Sequence, residues 1–232
     1  MKMLYILPLL FLSMDLRNEN MDKDSLNKTY TYLALGDSYT IGEGVGELGR
    51  YPNQTVSFLK EKGMKMELSG IIAKTGWTTD ELAKGISDAG ISGNTYDLVT
   101  LLIGVNNQYR GRDVENYKNE FRSLLQDAIT FAKGNANHVV VISIPDWGIT
   151  PFAVQRGTDT EKVAREINLY NQSNKNIAEE LGTHYIEITE RYREIGALPQ
   201  MVVDDKLHPS ELVYQEWSEK LVQVIVGNMD FQ

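Results

Sequence analysis

The chain has 232 residues, enough for one domain with a substantial core. Hydrophobic residues make up 42% and charged residues 24%, an ordinary globular balance, and a formal net charge of −9 opposes bulk attraction to nucleic acid or to an anionic membrane. There is no cysteine, which excludes disulfides, thiolate nucleophiles and cysteine-held metal centres; imidazole chemistry must draw on His138, His184 or His208.

The N-terminus joins Lys2 to an apolar run from Met3 to Met14, then turns polar, in the layout of a secretory signal. The run is shorter than the about 20 residues a membrane-spanning helix needs. Met14 stands where a lipoprotein signal would carry cysteine, so no lipid anchor is expected. Residues 1–28 are therefore read as a signal-like segment and linker. They predict export to the periplasm or the medium, with no other stable membrane insertion; a cytoplasmic protein with a loosely docked N-terminus is the alternative. Residues 29–232 are read as one domain.

From residue 29 onward, short apolar runs alternate with amphipathic segments. Strands are expected at 31–35, 66–73, 98–103, 139–144 and 185–188. Helices are expected at 54–62, 79–89, 114–133, 161–181 and 210–226. The runs "DLVTLLIG" and "HVVVISIP" are almost continuously apolar and rich in β-branched residues, as strands buried on both faces are. Five strand–helix repeats predict an α/β fold, a three-layer α/β/α sandwich around a doubly wound, parallel five-stranded sheet.

Ligands of such sheets sit beyond the carboxyl ends of the strands. Gly36-Asp37-Ser38, Lys74-Thr75-Gly76-Trp77, Gly104-Val105-Asn106-Asn107 and Pro145-Asp146-Trp147 all follow strands, and "DDKLHPSE" precedes the last helix. His138 and His184 each precede a strand, which puts them at the opposite edge and leaves His208. A serine hydroxyl becomes nucleophilic when a base takes its proton, and a carboxylate can orient that base. Ser38 is the candidate nucleophile and His208 the base. Asp205, three residues before His208, is the preferred carboxylate, with Asp204 as the alternative. The backbone N–H groups of Ser38 and Gly76 and the side-chain amide of Asn106 are candidate oxyanion donors. Competing readings make Ser38 a helix cap and Gly76 a plain turn glycine.

Taken together, "GDSYT", "KTGWTT", "GVNN" and "DKLHPS" resemble, in order, the four sequence blocks of the GDSL esterases, the SGNH hydrolase superfamily. The resemblance spans residues 36–208. It implies a flavodoxin-like sheet and a serine esterase acting on carboxylic esters of short-acyl, lysophospholipid or acetylated-sugar type. It also implies Ser38, Asp205 and His208 as the catalytic set, Ser38, Gly76 and Asn106 as the oxyanion hole, and no metal or cofactor. Asn107 departs from the aspartate many members carry, and an amide brings no charge to that position. A non-catalytic carbohydrate- or lipid-binding module on the same fold is the alternative function.

Gly44-Val45-Gly46-Glu47-Leu48-Gly49 matches the dinucleotide pattern Gly-x-Gly-x-x-Gly, but it lies eight residues beyond the first strand and reads as a loop beside the nucleophile. The segment "PDWGITPFAVQRG" supplies Trp147 and Phe152 as candidate pocket walls, joined by Trp77 and Tyr109. The only partner expected is a small-molecule ester, and oligomeric state is not legible.

Overall fold

The computed structural model describes residues 28–231, so the signal-like segment and linker read in residues 1–28 lie, all but Lys28, outside the described residues. Five strands build one sheet: β1 (Tyr30–Gly36), β2 (Met66–Ala73), β3 (Leu98–Leu102), β4 (Val139–Ile142) and β5 (His184–Ile186). Every pairing is parallel, and the spatial order is β2-β1-β3-β4-β5. This is the flavodoxin-like order, whose winding reverses between β1 and β3. Every residue of β3 and β4 is buried, as their unbroken apolar pattern requires, whereas the edge strand β2 is mostly half-buried.

The helices are α1 (Ser38–Ile41), α2 (Tyr51–Glu61), α3 (Thr79–Asp88), α4 (Val105–Tyr109), α5 (Val114–Phe131), α6 (Pro151–Gln155), α7 (Thr160–Leu181), α8 (Thr189–Ile195) and α9 (Glu211–Asn228). α2 packs against α9, while α5 packs against α3 and α7, giving the two helical layers. Capping explains several starts. Asp113 accepts the N–H of Glu115 and Asn116 at α5, Asp159 accepts that of Lys162 at α7, and Thr78 forms a reciprocal capping box with Glu81 at α3.

Differences from the expected boundaries have local causes. α2 begins at Tyr51 and not at residue 54, because Pro52 sits in its first turn, where a missing N–H costs nothing. β4 ends at Ile142 because Ile144 N–H turns away to Asn171 Oδ1 (2.7 Å). β5 stops at Ile186, and Ile188 N–H goes to Ser143 Oγ (2.9 Å). α1, α4, α6 and α8 have four to seven residues each, too few to show a 3.6-residue period.

Candidate active site

The end of β1 is shaped by a glycine. A Cβ on Gly36 would lie 2.1 Å from Thr40 Oγ1 and 2.3 Å from Leu102 O, so only glycine lets α1 fold directly over β1 and β3. Asp37 caps α1 by accepting the N–H of Tyr39 at 3.0 Å. Below, Thr40 contacts Tyr51 OH (3.5 Å), which with Tyr32 OH shares Thr100 Oγ1 at 3.2 and 2.8 Å. This buried hydroxyl chain ties the short helix to the sheet. Ser38 opens α1, is 4% exposed and lines a cavity of about 200 Å³.

His208 lines the same cavity. It sits in a loop closed by an antiparallel bridge between Val202 and Pro209. Asp205 holds the loop's shape: Oδ1 accepts the N–H groups of Leu207 (2.8 Å) and His208 (2.9 Å), and Oδ2 meets His208 Nδ1 at 2.6 Å. Burial alone would raise the Asp205 pKa, but the His208 side chain and these two N–H groups outweigh it and hold the carboxyl below its ordinary value. With Nδ1–H committed to Asp205, Nε2 is left as the basic nitrogen. Asp204, the alternative partner, is exposed, and the carboxylate paired with His208 is that of Asp205. The other imidazoles lie at the amino edge: His138 contacts Asp230 O (3.2 Å) and His184 contacts Asn137 Oδ1 (2.8 Å).

The second wall is the loop 74–78. Gly76 has φ +85°, a left-handed conformation that makes it a turn glycine, and it also lines the cavity. Three groups clamp the loop. Glu43 accepts the Thr75 hydroxyl, Arg110 donates to Gly76 O at 2.6 Å, and Asn106 Nδ2 donates to Trp77 O at 3.0 Å. An amide nitrogen has two hydrogens, so Asn106, which also lines the cavity, keeps one to offer. Glu43 and Arg110 carry no sequence signal, because each is defined only by what it meets far along the chain.

Tyr109, Trp147 and Phe152 all line the cavity, with Val105 and Leu207 adding aliphatic surface. Trp147 meets Tyr109 and Phe152 edge-on, at centroid distances of 5.2 and 6.4 Å. Trp77 is a correction. Its indole covers Gly85 of α3, where a Cβ would come within 2.1 Å of the ring, and it is not among the lining residues. Gly76 next to it lines the cavity, but the Trp77 ring occupies a glycine-made slot on α3. The Gly44–Gly49 repeat forms a turn and one 3₁₀ turn leading into α2, and a Cβ on Gly44 would lie 2.6 Å from Val203. It packs beside the His208 loop and makes no strand-to-helix junction.

A parallel sheet of this order, with an acid–imidazole pair and a serine converging on one cleft at its carboxyl edge, defines the α/β hydrolytic enzymes of the three-layer type. The profile of the GDSL-like lipase/acylhydrolase family matches residues 34–216, and the chain belongs to that family. It is a serine hydrolase acting on ester bonds. No curated protein sequence matches it significantly. Solved structures share the fold at low identity. TesA has a TM-score of 0.66 at 17% identity, over 86% of this chain and 99% of its own. The esterase EstA from Pseudoalteromonas sp., inhibited by monoethylphosphonate, has 0.64 at 16%, over 85% and 100%. A catalytic mutant of Axe2, an acetylxylan esterase from Geobacillus stearothermophilus, has 0.66 at 20%, over 84% and 94%. Among the described residues, no helix is long and apolar enough to cross a membrane.

Proposed function

We propose that the protein hydrolyses carboxylic esters of short, apolar acyl groups through an acyl-enzyme on Ser38. The observation that carries this reading is the Asp205–His208 pair, 2.6 Å apart, whose imidazole lines one cavity with Ser38, Gly76 and Asn106. His208 Nε2 takes the Ser38 proton as Oγ attacks the ester carbonyl. The oxyanion that forms is held by the N–H groups of Ser38 and Gly76 and the free hydrogen of the Asn106 amide. The tetrahedral species collapses, the alcohol leaves with the proton from His208, and Ser38 keeps the acyl group. Water, deprotonated by His208, then attacks the acyl carbonyl, and the acid departs as Ser38 regains its proton. Asp205 orients the imidazole and stabilises its cation.

The acyl class follows from size and lining. At about 200 Å³ the cavity is smaller than the roughly 300–1,000 Å³ of sites that enclose drug-sized ligands. It suits an acyl chain of a few carbons rather than a whole lipid. Away from Ser38 and His208 its lining is dominated by the apolar faces of Val105, Trp147, Phe152 and Leu207, with Tyr39, Thr75 and Tyr109 as the hydroxyl-bearing members.

The test is a series of p-nitrophenyl esters from acetyl to decanoyl, run on the wild type and on Ser38→Ala, with fluorophosphonate labelling mapped by peptide mass. The expected result is turnover highest for short chains, lost in Ser38→Ala, with the label on the peptide carrying Ser38. Turnover unaffected by Ser38→Ala, or a label elsewhere, would reject the acyl-enzyme.

A further inference from the structure

Gln108 does not line the cavity, yet both ends of its amide are spoken for. Its Oε1 accepts the Trp147 indole N–H at 2.8 Å, and its Nε2 donates to Glu166 Oε2 at 2.8 Å. Gln108 and Trp147 are each 6% exposed, so an unmatched N–H or C=O there would be left without water. A carboxylate only accepts. Glu166 therefore obliges the NH₂ end of Gln108 to face it, and the carbonyl end must then face Trp147. The direction of the relay is set from the half-exposed surface of α7 inward.

Two further relationships give this relay a consequence. Gln108 stands two residues after Asn106 on the same five-residue helix, α4. Trp147 is pinned at its backbone as well, since its carbonyl accepts the Thr150 hydroxyl at 2.7 Å and the neighbouring Asp146 is held by Arg193 at 2.9 Å. The indole wall is thus registered to the helix that carries the oxyanion amide.

We propose that Gln108 is a positioning residue for substrate selection: it holds Trp147 as the end wall of the acyl pocket, with Glu166 locking the orientation of its amide. The inference rests on the esterase reading of the same cleft. Gln108→Leu removes the acceptor and frees the ring to turn. A displaced wall changes the space by about the volume of one or two methylenes, a difference on the order of tenfold in selectivity.

The experiment measures kcat and KM across the acyl series for wild type, Gln108→Leu, Glu166→Leu, Glu166→Gln, Trp147→Phe and the Gln108→Leu/Trp147→Phe double variant. It also records the indole N–H signal of Trp147 by NMR, assigned with Trp147→Phe. Gln108→Leu is expected to shift the butyryl-to-hexanoyl ratio of kcat/KM by about tenfold, mainly through KM. Glu166→Leu shifts it the same way from outside the cavity, and Glu166→Gln, whose amide accepts but can also donate and so no longer fixes the direction, shifts it less. In the Trp147→Phe background, Gln108→Leu adds little further, because the hydrogen bond is already gone. An unchanged acyl profile with an unmoved indole signal in both Gln108→Leu and Glu166→Leu would overturn the proposal, as would fully additive effects. If Gln108→Leu does not fold, the Glu166 pair decides by the same readouts. Failure of the esterase reading looks different: Ser38→Ala would then turn over esters like the wild type.

Discussion

Asn107 and Thr79 exchange two hydrogen bonds across the gap between α4 and α3. Asn107 Oδ1 accepts the Thr79 N–H at 3.1 Å, and Asn107 Nδ2 donates to Thr79 Oγ1 at 2.7 Å. The Thr79 hydroxyl in turn donates to Glu120. The charge that an aspartate would bring to position 107 is supplied one step away, by Glu120 on α5. The wholly buried amide thus ties the helix of Asn106 to the helix that follows the Gly76 loop.

Asn107→Asp is therefore expected to destabilise. A second carboxylate would compete with Glu120 for one hydroxyl proton at a position that is wholly buried. The cost is about 1–3 kcal/mol, growing as pH rises and the new acid ionises. Urea unfolding at pH 5 and pH 8 checks it. A variant as stable as the wild type at both values would show that Glu120 is not part of the arrangement.

Asp37 has its own pH signature. It is wholly buried, Oδ1 takes the Tyr39 N–H, and Oδ2 has no hydrogen-bond partner among the described residues. Burial raises its pKa from 3.8 to about 7, against the opposing pull of the Tyr39 N–H. Between those values the folded state holds a proton that the unfolded state has lost, so stability falls as pH rises from about 4 and levels above about 7. The swing is on the order of 4 kcal/mol. Asp37→Asn keeps the cap acceptor and cannot ionise. Relative to the wild type it should gain stability from about pH 4 to about pH 7 and hold that gain at pH 8 in denaturant midpoints; parallel curves would contradict the assignment.

Asn106→Ala should lower kcat by roughly 10²–10³, the usual consequence of losing one oxyanion donor. Its bond to Trp77 O is also lost, so melting should be followed alongside. Asp205→Ala should retain on the order of tenfold to a hundredfold more activity than Ser38→Ala, because orientation is only partly lost without the acid. The Asp205 side chain is 41% exposed, and solvent can occupy part of its place. Normal turnover by Asn106→Ala would remove that amide from the reaction.

The pair Arg193–Asp146 supports Trp147 from behind. Asp146 is 1% exposed and Arg193 19%, joined at 2.9 Å, and Asp146 Oδ1 also takes the Gly148 N–H. Arg193→Ala would strand a buried carboxylate, at a cost of about 3 kcal/mol, the lower end of the range for broken buried pairs because Arg193 reaches water. The double variant Arg193→Ala/Asp146→Ala should recover part of that loss. Equal stability of the single and double variants in urea would show that the pair is not coupled.

Much of this was legible in the order of residues. Unbroken runs of Val, Leu and Ile can satisfy themselves only when covered on both faces, so β3, β4 and the parallel sheet follow from the sequence. The strand ends then name Ser38, Gly76 and Asn106, and the edge rule separates His208 from His138 and His184. Tertiary structure alone decided the rest. That Trp77 turns to Gly85 and leaves the pocket, that Asn107 works through Thr79 and Glu120, and that Gln108 backs Trp147 all depend on which distant side chains meet. Period and spacing record how one segment buries its own face; a contact between segments has no period, so its hydrogen-bond partners are fixed only when the layers close.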